Sequence, residues 1–389
     1  MSAVPPTVAS VFAAGGDLLA ERAAAVNALV AELVAEIPGA TGERASSVVA
    51  AGGKRLRPLL ALLLAGDPRD ASEFGVAALH DADGRAEHAP ADPDRARDST
   101  ADHGGGSTAT RAGDSDRPTD PTPDVASGIA AAQAHESSLL VSAAAIELVH
   151  VATLVHDDVL DRAPLRRGVP TIWSQNGPVA ATGAGDALLA AAFEAVAQHA
   201  EAPVAGVLAA AASSLAAGEL MQRADAYRLD ITPARYEQRV IGKTAALFDA
   251  ACRIGALHGD LSTDLAGGIG CDLGVAFQML DDLLDIEGDP AITGKARGTD
   301  LLDGTVTLPL ALAAATNPAI AAIDLRSLDV SAADALCDQI IATGATEDVR
   351  AQAYARIDSA QNAIAALPGS PARREALSLA AKGLVDRDR

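Results

Sequence analysis

One continuous stretch, SLLVSAAAIELVHVATLVHDDVLD at residues 138–161, restricts the possible folds most strongly. It is apolar around nearly the whole helix circumference, which is typical of a helix buried at the centre of a bundle. Its end is acidic: Asp157 and Asp161 lie about one turn apart, so their carboxylates share a face and repel each other. The C-terminal end of the helix dipole makes this worse. The stretch therefore predicts a buried helix and a cation that compensates its end.

The rest of the chain also favours packed helices. Aromatic residues make up only 2% of the 389 residues, so Ala, Leu, Val and Ile must build the core. Cores rich in β-structure depend more on aromatic and β-branched side chains, so we predict an all-α fold. Apolar residues at helical spacing predict helices at 17–37, 59–65, 138–161, 178–200, 203–223, 243–258, 263–286, 306–315, 332–343, 347–366 and 372–385.

One segment differs from this pattern. Residues 81–124 contain no Val, Ile, Leu, Met, Phe, Tyr, Trp or Cys. Such a segment cannot bury enough apolar surface to offset its chain entropy, so we predict a disordered insertion at about 67–135 within a single domain of residues 1–389. It needs no function, because long surface loops cost little stability. A regulatory or partner-binding segment is the alternative.

Charge and cysteine content exclude several classes of protein. The formal net charge is -22 and the pI about 4.6, which argues against a nucleic-acid partner. Three widely spaced cysteines indicate neither a disulfide framework nor a zinc ribbon. The N-terminus has no basic region, and no stretch approaches about 18 consecutive apolar residues. We therefore expect a cytoplasmic protein without a transmembrane segment.

A second acidic cluster, LDDLLD at residues 280–285, repeats the spacing of the first. Asp281 and Asp285 again lie four residues apart inside an apolar helix. Carboxylates in such surroundings are unfavourable unless a cation compensates them. Two such faces on neighbouring helices could bind Mg²⁺, with water and phosphate oxygens as the remaining ligands. The alternative for either cluster alone is a solvated acidic helix end.

The basic residues predict an anion between these clusters. Only four lysines occur, and three of them follow a glycine, which suggests a compact ammonium that an anion approaches closely. Several arginines also fall near turns and helix ends, where cations can converge on a phosphate. The basic residues concerned are Lys54, Arg57, Arg166, Arg167, Lys243 and Lys295. Together with two metal sites they predict a cavity that binds diphosphates.

Five motifs, in this order, carry a resemblance to a known family: GGKRLRP, HDDVLDRAPLRRGVPT, GKT, FQMLDDLLD and GKARGTDLLDGTVTLP. They resemble the blocks of the trans-type isoprenyl diphosphate synthases, the polyprenyl synthetase family, over about residues 50–310 apart from the insertion. The resemblance implies an isoprenoid-synthase helical bundle around a deep central cavity, three Mg²⁺ ions and a homodimer. It also implies a prenyltransferase that condenses isopentenyl diphosphate with an allylic diphosphate to give an all-trans polyprenyl diphosphate.

The resemblance further implies roles for individual residues. The metal site would comprise Asp157, Asp161, Asp281 and Asp285; the first three would be ligands, and Asp158, Asp282 and Asp285 would assist directly or through water. The catalytic set would be Asp157, Asp158, Asp161, Asp281, Asp282 and Lys243. Isopentenyl diphosphate would be bound by Lys54, Arg57, His150 and Arg167. The allylic substrate would be bound by Arg166, Lys243, Thr244, Gln278 and Lys295.

Two positions bear on how far this resemblance extends. Thr305 stands where many members carry lysine, which puts one contact to the allylic diphosphate in doubt. Ala152, with Thr153 beside it, lies five residues before Asp157, where short-chain members tend to place an aromatic plug. The small side chain favours an open tunnel and a long-chain product. An alanine within an alanine-rich helix is nearly as good an interpretation, and deeper residues could close the tunnel.

Other functions are less consistent with the motifs. Short-chain farnesyl or geranylgeranyl diphosphate synthesis and a non-catalytic partner subunit of the same fold stay open. Glu147 and His150 have the spacing of a di-iron helix, but the sequence offers no second copy. The GKT motif has Glu237 where a P-loop needs glycine six residues before Lys243. A terpene cyclase would keep only one of the acidic clusters.

Overall fold

The computed structural model describes residues 8–53, 55–67, 125–166, 168–259, 261–289 and 296–383. Within these ranges the chain is a helical bundle with one short hairpin, in which β1 (Leu165–Arg166) pairs antiparallel with β2 (Val169–Pro170). The all-α prediction is confirmed. The helices are α1 (Val8–Ala35), α2 (Gly39–Ala50), α3 (Leu56–Ala65), α4 (Val125–Leu160), α5 (Ile172–His199), α6 (Ala202–Asp225), α7 (Pro233–Val240), α8 (Ala246–Leu257), α9 (Thr263–Glu287), α10 (Thr299–Leu302), α11 (Leu308–Thr316), α12 (Pro318–Ala321), α13 (Val330–Ala342), α14 (Ala345–Ala365) and α15 (Pro371–Gly383).

Two hydrophobic cores hold the bundle together. The first surrounds α4, where Ala144, Ile146 and Leu148 are fully buried, as expected for a helix that is apolar on all faces. The second is formed by α7, α9 and the helices that follow. Helix α9 contributes to both, with Leu273 in the first core and Met279 in the second. The helix that carries the second acidic cluster is therefore fixed where the two cores meet.

A π-helical turn, Ile241–Ala245, joins α7 to α8 and is held by close backbone packing. A Cβ atom on Gly218 of α6 would lie 2.3 Å from the backbone nitrogen of Lys243. A Cβ atom on Gly274 of α9 would lie 2.5 Å from the Cα atom of Ala245. Only glycine permits such approaches, so the turn is confined between α6 and α9 and the position of Lys243 is set.

The observed helices differ from the sequence predictions in several places, of which three bear on the site and on the insertion. Helices α2 and α7 were not predicted, because one is rich in Gly and Ser and the other is short and highly charged. Helix α4 begins at Val125, so the prediction that the insertion extends to residue 135 is wrong at this end. Ala-rich sequence there has high helix propensity, and Arg22 Nε donates to Glu136 Oε1 at 2.8 Å. The remainder of the predicted insertion, 68–124, lies outside the described residues.

Three helices of the described chain are long and apolar enough to cross a membrane by length and composition alone. They are α4 from Ala130 onwards, α5 and α6. In α4, 78% of the most apolar window is buried, so the bundle core accounts for its hydropathy. The corresponding shares in α5 and α6 are 39% and 28%. These two helices therefore retain apolar surface that one chain does not cover.

Candidate active site

A cavity of about 980 Å³ opens in the bundle and receives side chains from both acidic clusters. Its walls come from the turn between α2 and α3, from α4, α6, α7, α9 and the π-helical turn, and from the segment between α10 and α11. Its lining combines a set of polar and charged groups, here called the rim, with apolar side chains such as Leu154, Leu215 and Leu247. The cavity therefore offers both charged and apolar surface to a ligand.

The first acidic cluster lies at the end of α4, and arginines pair with two of its carboxylates. Arg166 Nε lies 2.7 Å from Asp158 Oδ1, and Arg223 Nη2 lies 2.5 Å from Asp161 Oδ1. Burial raises the pKa of Asp158, although Arg166 opposes the effect. Burial raises the pKa of Asp157 to about 6, with Glu219 and Asp161 adding to the rise and the nearby Lys243 opposing it. The cations around this cluster therefore compensate the charge of Asp157 only in part.

The second cluster lies on α9 and is held mainly by neutral donors. Asp282 is buried; it accepts hydrogen bonds from Tyr236 Oη at 2.6 Å and from Gln278 Nε2 at 2.8 Å. Burial raises the pKa of Asp282 to about 7, although these two hydrogen bonds oppose the change. Asp281 precedes it in the chain, is exposed and lines the cavity. A buried carboxyl with a raised pKa is therefore the chain neighbour of an exposed one.

Asp285 occupies a different position from the rest of its cluster. Its Oδ1 atom accepts from Thr299 N and its Oδ2 atom from Asp300 N, both at 3.1 Å, so it caps the start of α10. It is not among the described residues that line the cavity. Its predicted role in the metal site stays a prediction, and the structure gives it a second role in holding the segment that carries Asp300.

Asp300 adds a further carboxyl to the cavity wall that the motifs did not single out. Burial raises its pKa well above the usual value, and repulsion from Asp285, Asp282, Asp281 and Asp303 adds to this. Five carboxyl groups thus share one region. Such crowding is unfavourable without a cation.

Lys243 of the π-helical turn pairs with Glu219 of α6. Burial opposes ionisation of Glu219, but Lys243 and Arg223 outweigh it and hold the pKa of this carboxyl below its usual value. Arg223 also reaches Asp161, so the chain Asp161–Arg223–Glu219–Lys243 alternates in sign. Next in the chain, Thr244 Oγ1 donates to Gln278 Oε1 at 2.8 Å and so connects the turn to α9.

Basic residues also line the cavity. Arg57 and His150 both line the cavity, and the guanidinium of Arg57 lies 4.4 Å from the ring centroid of Phe248. Arg55 Nη1 lies 2.5 Å from Glu147 Oε1. Glu147 therefore pairs with an arginine, which does not favour the di-iron interpretation of Glu147 and His150. The rim thus carries both acidic and basic groups.

The structure brings most of the predicted site residues to this one cavity. Those that line it are Arg57, His150, Asp157, Asp158, Asp161, Arg166, Lys243, Thr244, Gln278, Asp281 and Asp282. Lys54, Arg167 and Lys295 lie outside the described residues. Thr305 also lines the cavity, whereas Ala152 is fully buried and is not among the described lining residues; Thr153 is.

Sequence reasoning missed several groups that act on the clusters: Glu219, Arg223, Tyr236, Arg239 and Asp300. One signal was available, because Glu219 and Arg223 lie four residues apart in an otherwise alanine-rich helix. No comparable signal identifies Tyr236, which contacts Asp282 across 46 positions of the chain.

The side chains at the rim fit Mg²⁺ by their chemistry. All candidate ligands are carboxylate oxygens, and the raised pKa values of Asp157 and Asp282 are the result expected where carboxylates are buried without a cation. No group of three or more His, Cys, Asp or Glu side chains among the described residues is arranged to hold a metal alone. Mg²⁺ does not require one, because it commonly takes one or two carboxylates and completes its shell with water and phosphate oxygens.

Comparisons with known proteins agree with this geometry. The family model for polyprenyl synthetases matches residues 124–340. Heptaprenyl diphosphate synthase component 2 of Geobacillus stearothermophilus is 37% identical over 237 residues, which are 59% of this chain and 74% of that protein. Geranylgeranyl diphosphate synthase of Methanosarcina mazei is 37% identical over 179 residues, 44% of this chain and 55% of that protein.

The fold is similar to that of a solved relative. Polyprenyl synthase from Caulobacter crescentus CB15, solved in complex with calcium and isoprenyl diphosphate, superposes with a TM-score of 0.73 and 29% sequence identity. The alignment covers 96% of each chain. Sequence and fold similarity therefore extend over the cavity and both acidic clusters.

Proposed function

Because the chain belongs to the polyprenyl synthetase family and is a prenyltransferase, we propose that its cavity condenses isopentenyl diphosphate with an allylic diphosphate and so lengthens an all-trans polyprenyl diphosphate. One observation carries this proposal. Two acidic clusters from α4 and α9 and a basic wall with Arg57 and His150 face one cavity of about 980 Å³. Such a site accommodates two diphosphates and an apolar chain at once.

Mg²⁺, when bound, takes up the negative charge that develops on the leaving diphosphate. Asp157, Asp161 and Asp281 would hold the ions, and three ions per site are expected from the family resemblance. The chain's own cations act in the same direction: Lys243 and Arg166 lie at the acidic rim, where they can contact the diphosphate as the allylic C–O bond breaks. Lys243 would exchange its contact with Glu219 for one with the substrate.

The second substrate would bind on the basic side. Arg57 and His150 are placed to hold the diphosphate of isopentenyl diphosphate, with Lys54 and Arg167 assigned to the same role from the sequence. Its double bond then attacks the allylic carbon from which the diphosphate has departed, the resulting cation passes a proton to that diphosphate, and the product carries one more isoprene unit. The apolar walls exclude water from the cationic intermediate.

We propose a long-chain product. The reason is the name of the Geobacillus stearothermophilus relative, heptaprenyl diphosphate synthase component 2, of which the match covers 74%. The relative named geranylgeranyl diphosphate synthase keeps the short-chain product as the alternative. Ala152 gives this choice less support than the sequence suggested, since Thr153 faces the cavity in its place.

Incubating purified protein with Mg²⁺, isopentenyl diphosphate and farnesyl diphosphate tests both the synthase activity and the length of the product. Reversed-phase chromatography of the products should show chains longer than geranylgeranyl diphosphate. A complete lack of elongation would contradict the synthase function and favour a non-catalytic subunit. Elongation that stops at geranylgeranyl diphosphate would contradict only the long-chain product.

We propose a homodimer that buries the uncovered apolar faces of α5 and α6. Val179 on α5 is 86% exposed and Leu220 on α6 is 71% exposed. Exposed apolar surface of this kind is typical of an interface between subunits. The name "component 2" of one relative makes a pair with a different subunit the alternative. Light scattering on the protein expressed alone distinguishes a homodimer from a chain that needs a different subunit as its partner. Fractionation of cells tests the expected cytoplasmic location.

A further inference from the structure

Arg239 of α7 is a buried cation whose donors are only partly used. Its side chain is almost fully buried, and Nη2 donates to the backbone carbonyl of Val306 at 2.6 Å. Nη1 is also buried and has no hydrogen-bond partner among the described residues. An unsatisfied buried donor on a charged group costs free energy, so a native protein rarely keeps one without a reason.

The position of Arg239 in the cavity wall suggests why its donor is left without a partner in the described part of the chain. It lines the cavity on the side of the second acidic cluster, together with Asp282, Asp300 and Thr305. Asp282 already accepts hydrogen bonds from Tyr236 and Gln278. The guanidinium therefore stands in the cavity wall with a donor that no described neighbour uses.

The charge of this wall restricts what can bind there. Asp281, Asp282, Asp300 and Asp303 line the same region, so a bare anion would be repelled. A diphosphate that is coordinated by divalent cations would not be repelled, because the cations neutralise the negative charge of the carboxylates. The planar guanidinium then offers an N–H group to a phosphate oxygen that no cation occupies.

Thr305 makes this contact more important. It precedes Val306, whose carbonyl Arg239 holds, and its short neutral side chain brings no charge to the wall. We propose that Arg239 binds the diphosphate of the allylic substrate and supplies, from α7, the positive charge that position 305 lacks. This inference rests on the proposed function and adds a substrate-binding residue to it.

The test is a double-mutant cycle with Arg239→Gln and Thr305→Lys. Glutamine keeps a donor for the Val306 carbonyl and removes the charge. Binding of inorganic pyrophosphate with Mg²⁺ is measured by titration calorimetry, and KM values for farnesyl diphosphate and isopentenyl diphosphate are measured separately. Arg228→Gln is the matched control, because it removes one arginine charge at an exposed site paired with Asp230.

Arg239→Gln should weaken pyrophosphate binding and raise the KM for farnesyl diphosphate by about ten- to a hundredfold. The KM for isopentenyl diphosphate and all values for Arg228→Gln should change less than about threefold. Thr305→Lys should restore most of the loss in the Arg239→Gln background and add little to the wild type. A buried arginine with a purely structural role would not be rescued in this way.

Unchanged pyrophosphate binding in folded Arg239→Gln overturns the inference, as does an equal gain from Thr305→Lys in both backgrounds. If Arg239→Gln does not fold, Arg239→Lys replaces it, and the inference then requires that this variant, which keeps the charge, bind pyrophosphate within about tenfold of the wild type. Weaker binding than this would contradict the inference. Wild-type protein that binds pyrophosphate but elongates no substrate contradicts the proposed function instead, so the two failures are distinguishable.

Discussion

The two acidic clusters share one spacing but have opposite surroundings. At the end of α4, Asp158 and Asp161 each pair with an arginine. On α9, Asp282 is buried and held by a tyrosine hydroxyl and an amide, and Asp285 accepts from backbone N–H groups. The motif therefore fixes where the carboxylates stand, while the neighbours decide how much charge they carry.

This difference has a consequence for metal binding. Burial raises the pKa of Asp157 in the first cluster to about 6 and that of Asp282 in the second to about 7; arginine opposes the shift at Asp158, and neutral donors oppose it at Asp282. The second cluster should therefore depend more on neutral hydrogen-bond donors and lose its charge at a somewhat higher pH.

The largest effect should come from removing one accessible carboxylate of each cluster. Asp157→Asn and Asp281→Asn should each lower kcat by about a thousandfold or more, because each removes a proposed metal ligand. Steady-state kinetics at saturating Mg²⁺ check this, and circular dichroism checks that the fold is retained. Asp358→Asn, at an exposed position of α14, is the control. Near wild-type turnover in either variant would remove that cluster from the site.

The second prediction concerns stability without metal. Burial raises the pKa of Asp157 from 3.8 to about 6, so the folded state binds a proton more tightly than the unfolded state does. The folded state therefore loses stability as pH rises from about 4 to about 6, by up to about 3 kcal/mol. Asp157→Asn should lack this loss and be the more stable protein above pH 6 in EDTA.

Urea unfolding at a series of pH values measures the difference between wild type and Asp157→Asn. The difference should be small near pH 4 and reach its full size above pH 6, and added Mg²⁺ should reduce or reverse it. A difference that is constant across this pH range would mean that Asp157 is ionised throughout.

The third prediction isolates the neutral donors of the second cluster. Tyr236→Phe keeps the ring but removes the hydroxyl that donates to Asp282, so the carboxylate becomes harder to ionise. The Mg²⁺ concentration for half-maximal activity should rise about tenfold, since groups behind the ligands tune metal affinity. Tyr354→Phe, at a half-exposed position of α14, is the control and should leave the Mg²⁺ requirement unchanged.

The smallest effect should come from an exposed ion pair of the first cluster. Arg223 and Asp161 are each 39% exposed, so Arg223→Gln should cost less than about 1 kcal/mol of stability. The cost should shrink further at high salt, because solvent screens exposed charges. Urea unfolding in low and high salt measures it; a larger, salt-independent loss would show that the pair behaves as a buried one.

The sequence was sufficient for the elements whose signal is local. Long helices such as α4 and α9 carry an apolar pattern that no other structure explains as well, and both acidic clusters lie on them. Helices α2 and α7 lack that signal: α2 contains glycine and serine, and α7 is eight residues long and mostly polar. Their helical state depends on packing against the bundle, which a single sequence does not display.

The site was predictable to the extent that charge clusters are visible in the chain. The neighbours that set the charge state were not, because Tyr236, Arg239 and Asp300 reach the clusters only after folding brings α7 and the segment before α11 against α9. The same applies to the pairing of Lys243 with Glu219. A spacing rule finds residues on one helix, and these contacts join different helices.

Gly218 shows that a position without a side chain can still decide activity. The atom that an alanine would add there falls 2.3 Å from the backbone of Lys243, and no rotamer change can move a backbone atom aside. A mutational scan would therefore score this glycine with the catalytic residues, although it touches no substrate. What the fold requires at that position is an empty volume the size of one methyl group.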